Sequence, residues 1–489
     1  MQATISRSTR LGIPRTIRAV LDEPSSSTTT VHGWLRSIRA HKNVSFLEIS
    51  DGSSSRNLQA VVKGSPMKDL EGLALGSSLI LKGEMKESRG DQPHELSVKS
   101  IEVTGQSSAA YPIQKKYVPP DVLRDHAHLR FRTAKNGALA RLRDAAMREW
   151  HDHFEKQEYV HIHTPIMTSS DCEGAGEAFR ITTDPITPPS APSTQKHDPF
   201  FPSPAYLTVS SQLHLEAPTH ALSRTYTLSP TFRAEPSATS RHLAEFYMLE
   251  AELAFVETLD DLMDTLETAI KDVLGGRRMT RARRDQEVIA KSLMEDKAET
   301  PSADEETDPV ERSDMFGRIS GSEPFGRVTY TEAVEILKEK HVQTPFDFPP
   351  TWGAGLQSEH EKYLAGQVYR GPVFVTNYPR SLKPFYMRLN PKDHLDRETV
   401  ACFDLLVPGI GELAGGSLRE ERLDRLIESI DKANMKREDY EWYLDMRRFG
   451  SVKHGGWGMG FDRFMCWLTG IGNVRDVVAF PRWKGHCKY

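Results

Sequence analysis

Two arginines, a glutamate, a histidine and a phenylalanine crowd the stretch TFRAEPSATSRHLAEF, Thr231 to Phe246: Arg233, Glu235, Arg241, His242 and Phe246. Guanidinium groups are planar forks of donors suited to phosphate oxygens. A carboxylate can accept from an adenine amino group, and a phenyl ring can stack on the base. Far downstream, GGWGMGFDRF (Gly455 to Phe464) supplies glycines that let backbone approach a ligand. Arg463 follows at the start of an apolar helical run, FMCWL. An arginine there adds its charge to a helix N-terminus, where anions are already favoured. Each piece alone reads equally well as a polar hairpin or a glycine-rich turn before a core helix. Together, and far apart in the chain, they point to an ATP site.

Strand alternation extends the first stretch. In EFYMLEAELAF, Phe246, Met248, Glu250 and Glu252 share one face, while Tyr247, Leu249, Ala251, Leu253 and Phe255 share the other. The second face is hydrophobic and should pack on helices, so the first should line a polar site with Glu250 beside Phe246. A third candidate is Asp404 in CFDLLV, a strand whose apolar residues imply burial. A carboxylate buried there without a partner would be costly, which calls for a metal or an arginine beside it.

These stretches resemble motifs 2 and 3 of the class II aminoacyl-tRNA synthetases, in the aspartyl, asparaginyl and lysyl subgroup. SDCEGAGEAF (Ser170 to Phe179), VSSQL (Val209 to Leu213), PGIGELAGGSLREERLD (Pro408 to Asp424) and the ending NVRDVVAFPR (Asn473 to Arg482) carry the resemblance further, from about Val31 to the C-terminus. It implies formation of an aminoacyl adenylate from ATP, then transfer to the 3′-OH of a tRNA. Arg233 would grip the α-phosphate, Glu235 the adenine, Arg241 and His242 the outer phosphates, and Phe246 one face of the base. Arg463 would take the γ-phosphate and the other face. Asp404 and Glu412 would be the Mg²⁺ ligands, with Arg233, Arg463 and Glu412 the catalytic set. Glu173 and Gln212 would hold the substrate ammonium, and Arg419 would meet its side chain. Arginine donates to asparagine or aspartate alike, so a carboxylate must choose between them, and Glu250 and Glu245 are the candidates. Leu215 stands where aspartyl members carry a lysine, which favours asparagine and its tRNA. An aspartyl enzyme, a silent RNA-binding paralogue and an enzyme making free asparagine are the alternatives. Two departures from the family pattern are Asp462 for the usual glutamate and Trp457 for a commoner phenylalanine.

The elements that must position these residues are legible in outline. A chain of 489 residues exceeds one ordinary core. An α+β architecture is expected, with a leader over 1–20, an anticodon-binding OB-fold barrel over 21–108, a linker over 109–128 and a catalytic domain over 129–489. Short strand-like runs broken by turn clusters between Val31 and Val103 support the barrel. On it, Arg36, Phe46 and Gln59 match the family's anticodon-reading positions, and Trp34 is expected in the core. Apolar spacing from Ala138 to Phe154 predicts a helix. With Pro165 that helix resembles motif 1, which implies a homodimer.

Composition restricts the class. The chain is 38% hydrophobic and 27% charged, and no apolar run approaches the roughly 18 residues of a membrane span. Cys172, Cys402, Cys466 and Cys487 are scattered, against a zinc or disulfide framework. His151, His153, His161 and His163 resemble a metal cluster only superficially. Net charge is −5, with a small local excess of 14 Lys/Arg over 11 Asp/Glu in residues 1–105. The first twenty residues hold Arg7, Arg10, Arg15 and Arg18 and no acid. This is a transit-peptide composition that points to the mitochondrial matrix, with the cytoplasm as alternative. The charged segment 275–316 is expected to be mobile.

Overall fold

The computed structural model describes residues 13–25, 27–64, 70–88, 90, 92–114, 117–169, 178–182, 200–236, 239–299, 315–317, 319, 321–392 and 395–489. The chain forms two compact units, whose boundaries fall at Leu142/Arg143 and Ala282/Arg283, with 283–300 belonging to the first.

In the first unit, β1 (Thr28–Ala40), β2 (Ser45–Ser50), β3 (Leu58–Val62), β4 (Ser78–Glu87) and β5 (His94–Gly105) close into a barrel of order β1-β2-β3-β5-β4. Alternation places Val31, Leu35, Leu47, Ile49, Leu58, Ala60, Leu79, Leu81 and Leu96 inside. The short helix Ile17–Asp22 lays Ile17 and Val20 on this core. Thr16 caps it, and its first amide donates to Asp51 Oδ2 at 2.8 Å. Residues 16–20, assigned by composition to a leader, are therefore part of the folded unit. Trp34 also departs from expectation, being 37% exposed with the Arg132 guanidinium 5.9 Å from its ring. The segment expected to be mobile is helical at Arg277–Arg281 and Arg283–Glu299. Lys135 and Arg141 hold Asp296 and Asp285 of the second helix at 2.7 and 2.6 Å. Residues 300–314 lie outside the described residues.

The second unit is built on an eight-stranded sheet. Its strands are β6 (Val160–His161), β10 (Arg224–Phe232), β11 (Glu245–Ala254), β12 (Gly326–Thr329), β13 (Val373–Thr376), β14 (Cys402–Val407), β15 (Gly411–Leu418) and β16 (His454–Gly460). They run in the order β12-β13-β14-β15-β16-β11-β10-β6, antiparallel except at β12/β13 and β10/β6. A separate small sheet joins β7 (Met167–Thr168), β9 (Ala205–Leu207) and β8 (Arg180–Ile181) in that order. One face of the large sheet is covered by helices. Leu259–Leu274 starts with a Thr258–Asp261 capping box and buries Leu262, Leu266, Ile270 and Val273. In the predicted helix, observed as Ala134–Lys156, Trp150 and Phe154 pack on Trp457 and Tyr226 of the sheet. On β11, Leu249, Ala251 and Leu253 are buried as predicted, whereas Tyr247 and Phe255 at the strand ends are 42% and 70% exposed. The other face carries the site.

Candidate active site

Antiparallel pairing of β10 with β11 closes a hairpin whose loop, residues 233–244, carries the arginine-rich stretch. β11 in turn pairs with β16, setting Met248, Glu250 and Glu252 opposite Gly460, Gly458 and Gly456. The two distant motifs are thus neighbouring strands. Their glycines do more than admit a ligand. A Cβ at Gly456 would overlap the Glu252 carboxylate and the Ala251 carbonyl, and one at Gly458 would come within 2.9 Å of Met248 Cε. Glycine at these alternate positions lets the β11 side chains lie over β16. The helix Phe461–Thr469 then starts at the end of β16. Asp462 fixes that start: buried, it accepts from the Tyr247 amide at 2.9 Å and pairs with Arg143 at 2.6 Å.

The cavity on this face has a volume of about 330 Å³. Arg233, Glu235, Arg241, His242, Phe246 and Arg463 form part of its lining. The Arg233 guanidinium lies 5.6 Å from the Phe246 ring. His242 bridges Glu235 at 3.1 Å and Thr239 at 2.5 Å, and burial lowers its pKa. Arg241 pairs with Glu361 at 3.3 Å, and Glu361 also accepts from the Glu412 amide. Arg463 donates to the Glu412 carbonyl at 3.1 Å and approaches its carboxylate at 3.5 Å.

Asp404 and Glu412 lie on the adjacent strands β14 and β15. A Cβ placed on Gly415 would lie 3.3 Å from Asp404 Oδ1 and 3.9 Å from Glu412 Oε1, so the two carboxylates converge over that glycine. Burial raises the Asp404 pKa, against the pull of Lys383, whose ammonium lies 2.7 Å from both carboxylate oxygens. Burial also opposes ionisation of Glu412, but Arg463, Lys383, Arg241 and Arg233 outweigh it and bring its pKa below the ordinary value. Two converging hard oxygen donors suit a Mg²⁺ ion that keeps waters and phosphate oxygens as its other ligands. The partner demanded by a buried Asp404 is present as Lys383, which no spacing in the sequence signals.

The lining also includes Gln212, Glu250, Glu252 and Arg419. Glu250 is committed to the turn before the helix Gln212–Leu222: it accepts from Ser210 Oγ at 2.5 Å and from the Ser211 amide at 3.0 and 3.1 Å. Burial raises its pKa while these bonds oppose the rise. Glu252 instead binds the Arg419 guanidinium, which also donates to Ser417 Oγ at 2.6 Å. Burial pushes the Glu252 carboxyl up to about 8, with Arg419 opposing and Glu216 adding to the rise. Glu245 does not join the site. It lies on the other face of β11, exposed and bridged to Arg482. Glu173 lies outside the described residues. Leu215 is buried and does not line the cavity. Sequence reasoning missed Glu216, four residues after Gln212, although that helical spacing could have signalled it.

On the barrel, Phe46 and Glu48 share the half-buried face of β2, and Gln59 stands opposite Glu48 on β3. Phe46 pairs across with Arg39 of β1, and His41 meets its ring edge at 6.0 Å. Gln59 donates to Glu95 at 3.0 Å, and Arg36 donates to the Arg132 carbonyl at 2.6 Å. Among the histidines, His153 pairs with Asp272 at 2.9 Å and His151 with the Tyr226 hydroxyl at 2.8 Å. Among the described residues, no helix is long and apolar enough to cross a membrane.

An antiparallel sheet carrying a motif 2 hairpin beside a motif 3 strand and helix, with an OB barrel as a separate unit, defines a class of enzyme. Residues 120–484 match the family described as tRNA synthetases class II (D, K and N), and residues 29–104 match the OB-fold nucleic acid binding domain. The chain belongs to the class II tRNA synthetases and is an ATP-dependent aminoacyl-tRNA ligase. It is 44% identical over 462 residues to an asparagine–tRNA ligase of Clostridium novyi, covering 93% of this chain and 94% of that one. To the asparaginyl-tRNA synthetase of Mus musculus it is 43% identical, covering 94% and 90%. The crystal structure of the Pyrococcus horikoshii asparaginyl-tRNA synthetase complexed with asparaginyl-adenylate superposes with a TM-score of 0.82 at 29% identity, covering 98% and 100%.

Proposed function

We infer that this chain is an asparagine–tRNA ligase, activating asparagine with ATP and transferring it to the 3′-terminal adenosine of tRNA(Asn). The observation that carries the specificity is the Glu252–Arg419 pair at the floor of the cavity. Arg419 donates to the side-chain carbonyl oxygen of the substrate, and Glu252 accepts from its NH₂. Aspartate in the same position would set its carboxylate against that of Glu252. Glu250, with both oxygens taken by Ser210 and Ser211, is the less suitable reader.

Arg233 and Arg463 bind and align the triphosphate, which turns attack by the amino-acid carboxylate on the α-phosphorus into a positioned step. Their charge, with that of Lys383, meets the negative charge that builds on the phosphate oxygens. Asp404 and Glu412 would hold Mg²⁺, which when bound supplies charge neutralisation of the phosphates. Gln212 orients the substrate ammonium, and Phe246 stacks under the adenine. Phe46 on the barrel offers a stacking platform for an unpaired anticodon base.

ATP–pyrophosphate exchange with asparagine and aspartate supplied separately tests this reading. Exchange with asparagine alone is expected. Exchange with aspartate alone would reverse the specificity, and none with either would favour a silent RNA-binding paralogue.

Assembly as a homodimer is supported by the apolar edge that follows the helix Ala134–Lys156, where Val160, Ile166 and Met167 are 42%, 42% and 53% exposed. A monomer mass in light scattering at micromolar concentration would refute it. A mitochondrial address rests on the basic, acid-free residues 1–15, with Arg7, Arg10 and Arg15. Import of a fluorescent protein fused behind residues 1–30 is expected, and cytosolic retention would return the alternative.

A further inference from the structure

Glu216 does not line the cavity, yet its carboxylate bears on both ends of the amino-acid pocket. It is fully buried, one turn after Gln212 on the helix Gln212–Leu222, and accepts from Gln212 Nε2 at 3.2 Å. On one side it stands 3.8 Å from Arg419. On the other it accepts from Arg447 Nη2 at 2.9 Å and from the Tyr443 hydroxyl at 2.8 and 2.9 Å, with His454 Nε2 at 3.1 Å. Arg419 therefore lies between two carboxylates, Glu252 on the cavity side and Glu216 behind. The neighbouring Glu420 carboxylate is taken by Arg422 at 2.6 Å.

Above about pH 8, where Glu252 is ionised, the buried Arg419 and Arg447 are balanced by the buried Glu216 and Glu252. Remove Glu216, and Arg419 and Arg447 are left facing the Glu252 carboxylate with one cation in surplus. A buried surplus cation is costly by itself and is relieved by any anion that reaches it. Aspartate is such an anion. Asparagine, of nearly the same shape and no net side-chain charge, gains nothing comparable.

We propose that Glu216 is a specificity-determining positioning residue. Neutralising Arg419 and Arg447 from behind, it denies an aspartate side chain the counter-charge it would need, while its bond to Gln212 holds the residue assigned to the substrate ammonium. The inference rests on the asparagine–tRNA ligase reading above. It deepens that reading by placing part of the discrimination on a residue that never meets the substrate.

The test is ATP–pyrophosphate exchange by the full chain above about pH 8, where Glu252 is ionised, reading the KM for asparagine and the inhibition constant of aspartate. Glu216→Gln preserves volume and keeps groups able to bond Tyr443 and Gln212 while removing the charge. The ratio of aspartate inhibition constant to asparagine KM is expected to fall by about tenfold or more, equivalent to about 1.4 kcal/mol. Adding Arg447→Met restores the charge balance and should return the ratio toward that of the unaltered chain. A single variant that weakens both amino acids alike, or a double variant as permissive as the single one, overturns the proposal, because a merely structural anchor would give those results. Should Glu216→Gln fail to fold, Arg447→Met alone carries the opposite charge change and must raise the ratio; an unchanged ratio again overturns it. Absence of asparagine-dependent exchange in the unaltered chain would instead overturn the ligase reading itself.

Discussion

Glu252→Gln is the perturbation that most directly probes how asparagine is told from aspartate. Glu252 is 2% exposed and forks onto Arg419, which keeps its bond to Ser417 and its proximity to Glu216 when the charge is removed. Two effects follow. The substrate NH₂ loses a charged acceptor, which costs about 1.5–3 kcal/mol, or about one to two orders of magnitude in kcat/KM for asparagine. Above about pH 8, where Glu252 is ionised, aspartate loses a like charge about 4 Å away, worth about 4 kcal/mol at an effective dielectric of about 20, or up to about a thousandfold. The asparagine-to-aspartate ratio of kcat/KM, read by exchange with each amino acid, should therefore drop by several orders of magnitude. An unchanged ratio would refute the role of Glu252, and the same drop in Glu250→Gln would transfer that role. Acidity offers a second handle on the same group. Because burial pushes the Glu252 carboxyl up to about 8, it carries a proton below that pH and its repulsion of aspartate weakens. Relative aspartate activation by the unaltered chain should rise as pH falls through about 8, whereas the Glu252→Gln profile should be flat across that window.

Gly456→Ala places a methyl group into the Glu252 carboxylate and the Ala251 carbonyl; because backbone cannot yield, asparagine-dependent exchange should fall by at least about tenfold, and retained activity would show that β16 adjusts. Arg233→Ala should reduce exchange by at least about a hundredfold with an unaltered circular dichroism spectrum, and near-normal exchange would remove its phosphate role. Phe46→Ala should weaken tRNA binding by about 1–3 kcal/mol if its ring stacks a base, leaving tRNA-independent exchange intact; equal affinity for tRNA would place the anticodon elsewhere on the barrel.

Much of the site was legible because its chemistry is local. Arg233, Glu235, His242 and Phe246 lie in one hairpin, and period-2 alternation on β11 carried the same face on to Met248, Glu250 and Glu252. Where alternation met a strand end it failed: Tyr247 and Phe255 fit the apolar pattern but are exposed. Glu245 failed for a related reason, since proximity in sequence to Phe246 placed it on the opposite face of the strand. Lys383 and Glu361 gave no signal, because each joins the site through a long-range contact, Lys383 to Asp404 and Glu361 to Arg241.

By itself, then, the sequence determined the class of chemistry, the two-part architecture and the residues able to hold a triphosphate. Those properties follow from residue type and short-range periodicity together with the resemblance to the class II synthetase motifs. Only the tertiary structure separated the two carboxylates that are candidates to read the substrate. Glu250 and Glu252 are equivalent along the strand, and they diverge because Ser210 and Ser211 capture one while Arg419 captures the other. The charge balance behind Arg419 was likewise beyond the sequence, since Glu216, Glu252, Arg419 and Arg447 come from four separate elements. They meet only where the sheet and its helices exclude water and make every unpaired charge costly.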